Sequence, residues 1–195
     1  MAKSERRLIV RKLLMIAVVS LLCCAAAPAE VTDQAPNGFT VKTAVVVQAG
    51  PEDVYDKLAN HVGDWWNSEH SWSGDARNLS IDDKPMGCFC EKLPNGGGVR
   101  HAEVIMVMPN KLLVMSGAFG PLQKFAVTGT LTFAILPIHR QTRIEMTYAV
   151  GGYLSGGVNT WADPVDKVLT EQMTRLKSYI ETGNAAPAAP PSKQP

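Results

Sequence analysis

The sequence predicts an α+β fold: a curved antiparallel sheet wrapped around a long C-terminal helix, with short helices after the first strand. Three observations point there. Long runs alternate with the period of a strand and are apolar on one side only, as in Ala126–Leu136 and Thr142–Val150. The last regular segment, ending at Gly183, repeats apolar residues at helical spacing. The order of elements is a strand, a short helical region, about six strands and a long helix, so a one-sided sheet and an amphipathic helix are left to cover each other.

The first 29 residues read as a cleavable export signal. Lys3, Arg6, Arg7, Arg11 and Lys12 make a basic start, Leu13 to Leu22 an apolar run, and Ala27-Pro28-Ala29 the small residues a signal peptidase reads. The apolar run is about ten residues, well short of the roughly 20 that span a bilayer. An uncleaved anchor is the competing reading. Arg6-Arg7 followed by Leu8, Ile9 and Val10 hints at a twin-arginine signal, which Glu5 weakens. Leu22 before Cys23 is too bulky for a good lipid-attachment site. The expected location is periplasmic or secreted, after cleavage near Ala29, with no stable membrane insertion afterwards. Five of the 19 Lys and Arg precede Glu30, but only one of the 18 Asp and Glu. The remainder has 14 basic and 17 acidic residues, a formal net of −3, which argues against a nucleic-acid partner.

Residues 30–38 are polar and turn-rich and read as a flexible lead-in; 184–195 read as a disordered Ala/Pro-rich tail. One domain is expected over 39–183. Its first strand puts Phe39, Val41, Thr43, Val45 and Val47 on one face. Pro51 opens a helix with Glu52 and Asp53 at its positive end and Val54, Leu58 and Val62 on its apolar side. After the loop Trp65 to Gly74, strands are expected near 78–82, 87–93, 99–108 and 111–116, with a turn at Asn95-Gly96-Gly97. Two long strands follow. In the last helix Asp163 is the expected N-cap, with Pro164 at the first helical position and Gly183 as the stop. Val165, Val168, Leu169, Gln172, Leu176, Tyr179 and Ile180 form its apolar stripe.

Cys88 and Cys90 are two apart in a predicted strand, which sets their Cβ atoms about 6–7 Å apart. A disulfide wants about 3.5–4.5 Å, so without a bulge or turn two free, buried thiols are expected. If the hairpin pairs Leu93 with Val99, Glu91 faces His101 and Phe89 faces Glu103, while both cysteines lie on the apolar face away from the histidine. That geometry argues against a metal site.

Several segments resemble the START-like helix-grip superfamily (SRPBCC), the polyketide cyclase/dehydrase and lipid-transport group. They are Ala49-Gly50-Pro51-Glu52-Asp53-Val54-Tyr55 at the entry to the first helix, Val62-Gly63-Asp64-Trp65-Trp66 closing the helical pair, Gly87-Cys88-Phe89-Cys90-Glu91 in the glycine-led strand, and the closing amphipathic helix. The resemblance implies a hydrophobic cavity under the C-terminal helix. The group includes lipid carriers, hormone binders, cyclases, hydrolases and co-chaperones, so it does not select an activity.

The segment from Trp65 to Gly74 holds three of the four tryptophans and His70. It reads either as a ligand-gripping loop at a cavity mouth or as an aromatic cluster sealing the core. His70, Glu91 and His101 are the acid–base candidates, each with a structural alternative. Gly117 to Leu122 reads as a lid, with Phe119 and Leu122 touching the ligand, or as a plain connection. The expected ligand-binding set is Trp66, His70, Trp72, Met106, Phe119, Leu122, Phe133, Met146 and Tyr148. No nucleophile elbow, dinucleotide fingerprint or H-E-x-x-H is present, and no cofactor is expected. The expected partner is a hydrophobic small molecule, aromatic or lipid-like, held by an exported domain. The alternative is a cyclase- or hydrolase-type enzyme using a cavity His/Glu pair.

Overall fold

Eight strands form one antiparallel sheet in the order β1-β2-β8-β7-β6-β5-β4-β3. They are β1 (Glu30–Ala35), β2 (Gly38–Val47), β3 (Leu79–Ile81), β4 (Cys88–Lys92), β5 (Gly98–Met108), β6 (Leu112–Ser116), β7 (Ala126–Ile138) and β8 (Gln141–Tyr153). Two helices, α1 (Pro51–Ala59) and α2 (Val62–Trp65), separate β2 from β3, and α3 (Ala162–Thr182) ends the domain. This computed structural model describes residues 30–185. The predicted export signal and all but the first two residues of the Ala/Pro-rich tail lie outside the described residues.

The topology follows from the sequence pattern. From β3 to β8 the chain meanders, and β8 then pairs with β2 along its whole length, from Gly38↔Gly151 to Val47↔Thr142. In β8, Thr142, Ile144, Met146, Tyr148 and Val150 are buried, while the residues between them reach the outer face. The helix α3 buries Ala162, Leu169, Gln172, Met173, Leu176 and Ile180 and lies against β2. It ends at Gly183 with φ 77°, a left-handed conformation that glycine adopts without steric cost. Helix α1 starts at Pro51 and buries Val54, Tyr55, Leu58 and Ala59. This is the helix grip that the resemblance implies.

Four expectations fail here. Residues 30–35 of the expected lead-in form a strand: β1 pairs with β2 from Glu30↔Lys42 to Ala35↔Gly38. Its side chains are polar because an edge strand exposes them, while the backbone ladder holds it in place. Asp163 is not the cap of α3 and Pro164 is not its first residue: the helix starts two residues earlier, at Ala162 behind Trp161, and has no side-chain cap.

The β4–β5 register also differs. Glu91 pairs with Val99, Cys90 with Arg100 and Phe89 with Ala102, so His101 is the extra residue of a β-bulge. Phe89 and Glu91 turn inward, because a phenyl ring gains more from burial than two thiols. Cys88 and Cys90 therefore lie on the outer side of β4. They are joined in a disulfide, with Cα atoms 5.3 Å apart where the register shifts. That spacing is inside the bridging range of about 4.4–6.8 Å.

Gly129 of β7 makes room for the ring of Tyr148 on β8. A Cβ there would lie 2.5 Å from Tyr148 Cε2, whereas one on Gly98 would meet nothing closer than an ordinary 3.4 Å. Gly129→Ala is therefore expected to lower unfolding stability by about 1–3 kcal/mol, and Gly98→Ala by much less. Urea denaturation of the two variants measures the difference, and equal losses would contradict this packing.

Candidate functional site

A cavity of about 390 Å³ lies between the inner face of the sheet and the N-terminal half of α3. Phe89, His101 and Tyr148 form its sheet wall, and Pro164, Val165, Val168 and Leu169 form its helix wall. Two loops close the remaining sides, one with Trp66, His70 and Trp72, the other with Phe119 and Leu122. Trp72 is 43 % exposed and His70 about one-third exposed, which places them at the rim.

The tryptophan loop is held at three points. Asn67 donates its backbone N–H to Gln172 Oε1 (2.8 Å) and its side-chain Nδ2 to Glu171 Oε1 (2.5 Å), both on α3. Trp66 Nε1 donates to the His70 carbonyl at 3.0 Å. On the other side, Glu91 accepts the backbone N–H groups of Trp72 (3.0 Å) and Ser73 (2.5 Å). The second loop is held by Tyr148, whose hydroxyl donates to the Gly117 carbonyl (3.0 Å) and accepts from Phe119 N–H (3.3 Å). Burial pushes that phenol far above its ordinary range, so it stays protonated.

The bulge in β5 aims His101 inward. Without it, strand alternation would put His101 on the face opposite Ala102; with it, both are buried. His101 Nε2 lies 2.9 Å from Glu91 Oε2, with both side chains almost fully buried. Its ring sits between Phe89 (centroids 5.2 Å apart) and Phe119 (6.3 Å, nearly parallel at 7°). Burial lowers the proton affinity of His101, and the neighbouring Glu91 only partly restores it. For Glu91 burial acts upward, but hydrogen bonds from Ser73, Trp72 and His101 outweigh it and hold the carboxyl below its usual range. The pair at neutral pH is therefore a carboxylate beside a neutral imidazole. A carboxylate only accepts, so Nε2 carries the proton and Nδ1 keeps a free lone pair.

Of the expected ligand-binding set, Trp66, His70, Trp72, Phe119, Leu122 and Tyr148 meet at this cavity. Met106, Phe133 and Met146 do not. A second bulge, at Ile105, reverses the alternation so that Met106 points outward and is half exposed. Phe133 and Met146 pair with each other farther along β7 and β8, and both are buried in solid core away from the cavity. His70 is bound at the rim, with Nε2 3.3 Å from Glu171 Oε2. Sequence reasoning missed Phe89, hidden by the wrong face for β4, and Trp161, which precedes α3. It placed Val165, Val168 and Leu169 on the apolar stripe of the helix without assigning them to a cavity. Among the described residues, no group of three or more His, Cys, Asp or Glu is placed to hold a metal.

The electrostatics set a pH dependence. His101 has a lower proton affinity in the fold than its ordinary value of 6.5, so below pH 6.5 the unfolded chain takes up more protons. The stability it contributes is complete above pH 6.5 and is lost as pH falls through the folded value. Glu91 acts in the same direction, below its ordinary 4.5. The urea midpoint should therefore drop between pH 7.5 and pH 5, and His101→Gln, which still donates to Glu91, should flatten that drop. A variant with an unchanged slope would refute the assignment.

No protein-family model matches the chain, and no curated protein matches it. Solved structures do. One is a conserved protein of unknown function from Enterococcus faecalis, with TM-score 0.57 and 15 % identity, covering 83 % of this chain and 82 % of that one. Another is the Aha1 dimer from Colwellia psychrerythraea, with TM-score 0.54 and 18 % identity, covering 74 % and 97 %. A third is DynU16, from the dynemicin biosynthetic locus, with TM-score 0.53 and 16 % identity, covering 75 % of this chain and 48 % of that one. At these identities the likeness shows the fold, a helix grip, and leaves the activity to be argued from the site.

Proposed function

We propose that this is an exported domain of the SRPBCC type that binds a small hydrophobic molecule, aromatic or lipid-like, in the cavity under α3. The observation that supports it most is the cavity itself. Its volume of about 390 Å³ falls within the roughly 300–1,000 Å³ of small-molecule sites. Its walls are mainly aromatic and aliphatic, with few polar groups. DynU16, a structural neighbour, comes from a biosynthetic locus, which fits a small-molecule ligand. Export rests on the N-terminal signal alone.

A second reading is proton transfer to or from the bound molecule, favoured by the neutral His101 with a carboxylate at its back. Glu91 would hold the ring and its tautomer, and His101 Nδ1 would meet the substrate. His70 is a weaker candidate, since its Nε2 already faces Glu171 at the rim.

Native mass spectrometry of freshly purified protein should show a co-purifying apolar ligand. Val168→Trp, which fills the cavity from the helix wall, should remove that ligand while the melting temperature stays within a few degrees. A ligand-free wild type that binds no apolar probe would contradict the reading. For export, the protein expressed in a bacterial host should be recovered outside the cytoplasm with a mass corresponding to a chain that starts at Glu30. An intact N-terminus there would refute cleavage.

A further inference from the structure

The cavity's polar groups specify more about its occupant than hydrophobicity does. Three lining residues are both polar and buried: Trp66, His101 and Tyr148. Trp66 Nε1 is committed to the His70 carbonyl. Tyr148 uses its hydroxyl twice, toward Gly117 and Phe119. His101 uses Nε2 on Glu91, and among the described residues Nδ1 has no hydrogen-bond partner. Glu91 does not exchange roles with it, because the N–H groups of Trp72 and Ser73 also donate to its oxygens and favour the ionised carboxylate, which only accepts. Of these three residues, His101 is the one left with an unused polar atom, Nδ1, and with Nε2 protonated that atom is an acceptor.

The surroundings of that atom are aromatic. Phe89 and Phe119 flank the His101 ring, Trp66 meets Phe89 edge-on (centroids 5.5 Å apart, 80°), and Tyr148 meets Phe119 edge-on (5.3 Å, 84°). Ring faces and edges arranged in this way favour another planar ring. A free acceptor in such a wall is satisfied by a ligand that brings a donor, and it penalises one that does not.

We propose that His101 Nδ1 is the specificity-determining acceptor of the cavity and that the ligand class is a planar aromatic bearing a hydroxyl donor, a phenol in the simplest case. This rests on the binding reading above and adds the polar group that the ligand must carry. Phenolate, which has no proton to donate, is excluded by the same geometry.

The test compares three probes on the intact protein by titration calorimetry: 2-naphthol, naphthalene and 2-methoxynaphthalene. An apolar cavity alone would prefer naphthalene, since 2-naphthol is the more water-soluble. The proposal expects 2-naphthol to bind about tenfold tighter than either, the worth of one buried hydrogen bond. His101→Phe keeps the ring and removes the acceptor, and should collapse that ratio to about one. Long-range ¹H–¹⁵N spectra of the wild type give an independent readout: the His101 Nδ1 resonance should move with 2-naphthol and not with naphthalene. Equal affinities with a stationary Nδ1 overturn this proposal and leave the cavity reading intact. If none of the probes binds, the cavity reading falls and this proposal falls with it. If His101→Phe does not fold, the wild-type ratio and the nitrogen shift still decide.

Discussion

A single buried carboxylate organises the site. Glu91 is 2 % exposed near the end of β4, where an unpaired charge would cost several kcal/mol. It is tolerated because three donors converge on it: Trp72 N–H, Ser73 N–H and the His101 imidazole. Two of these belong to a loop with few apolar anchors of its own at that end, and the third to a bulge in the neighbouring strand. Removing any donor leaves part of the charge unsatisfied, so loop, bulge and strand are fixed relative to one another. Trp72 stands at the cavity mouth because its backbone N–H, with that of Ser73, is bound to this oxygen pair.

The cavity exists because the two ends of the grip are filled differently. Toward one end, Phe133, Ile144, Met146 and Leu113 are all buried, and α1 packs over β7. Toward the other end, the chain spends its large rings on the walls. Tyr148 lies across Gly129 and reaches the Gly117 carbonyl, which ties the Phe119 loop to the sheet instead of letting it collapse inward. Helix α3 offers Val165 and Val168 there, side chains too short to fill the gap. The two bulges in β5 add local bend and twist to the strand. Curvature, short helix side chains and tethered loops together leave space where a flat sheet would have met the helix.

What the sequence made legible was whatever has a period. Strands β7 and β8 and helix α3 were readable because one-sided alternation and a helical stripe follow directly from which face is buried. The loop from Trp66 to Trp72, with Phe119, Leu122 and Tyr148, was readable from composition and alternation. A bulge has no such signature. One inserted residue at His101 and another at Ile105 misassigned everything that alternation was used to infer nearby: the inward face of Phe89, the outward face of Met106 and the pairing of Cys88 with Cys90. Glu91 and His101 were expected to meet directly across the hairpin on a polar face. They meet diagonally on the buried one, and that difference turns a surface ion pair into part of a cavity wall. Strand β1 was missed for another reason: its side chains are those of a solvent-facing edge, and only the backbone ladder marks it as a strand.

Because one carboxylate serves both loop and imidazole, mouth position and wall chemistry are linked. With Trp72 and Ser73 in place, two N–H groups hold Glu91 ionised, and an ionised Glu91 fixes the proton of His101 on Nε2. Without those two donors Glu91 would keep only the His101 hydrogen bond against the effect of burial, and its proton affinity would rise. A protonated carboxyl donates as well as accepts, so Nε2 is then no longer required to hold the proton, and Nδ1 is no longer assured as an acceptor. The loop position seen here is thus the one in which the wall has a defined polarity. By linkage, a ligand that used Nδ1 would bind more tightly with these loop contacts made, and would in turn stabilise them.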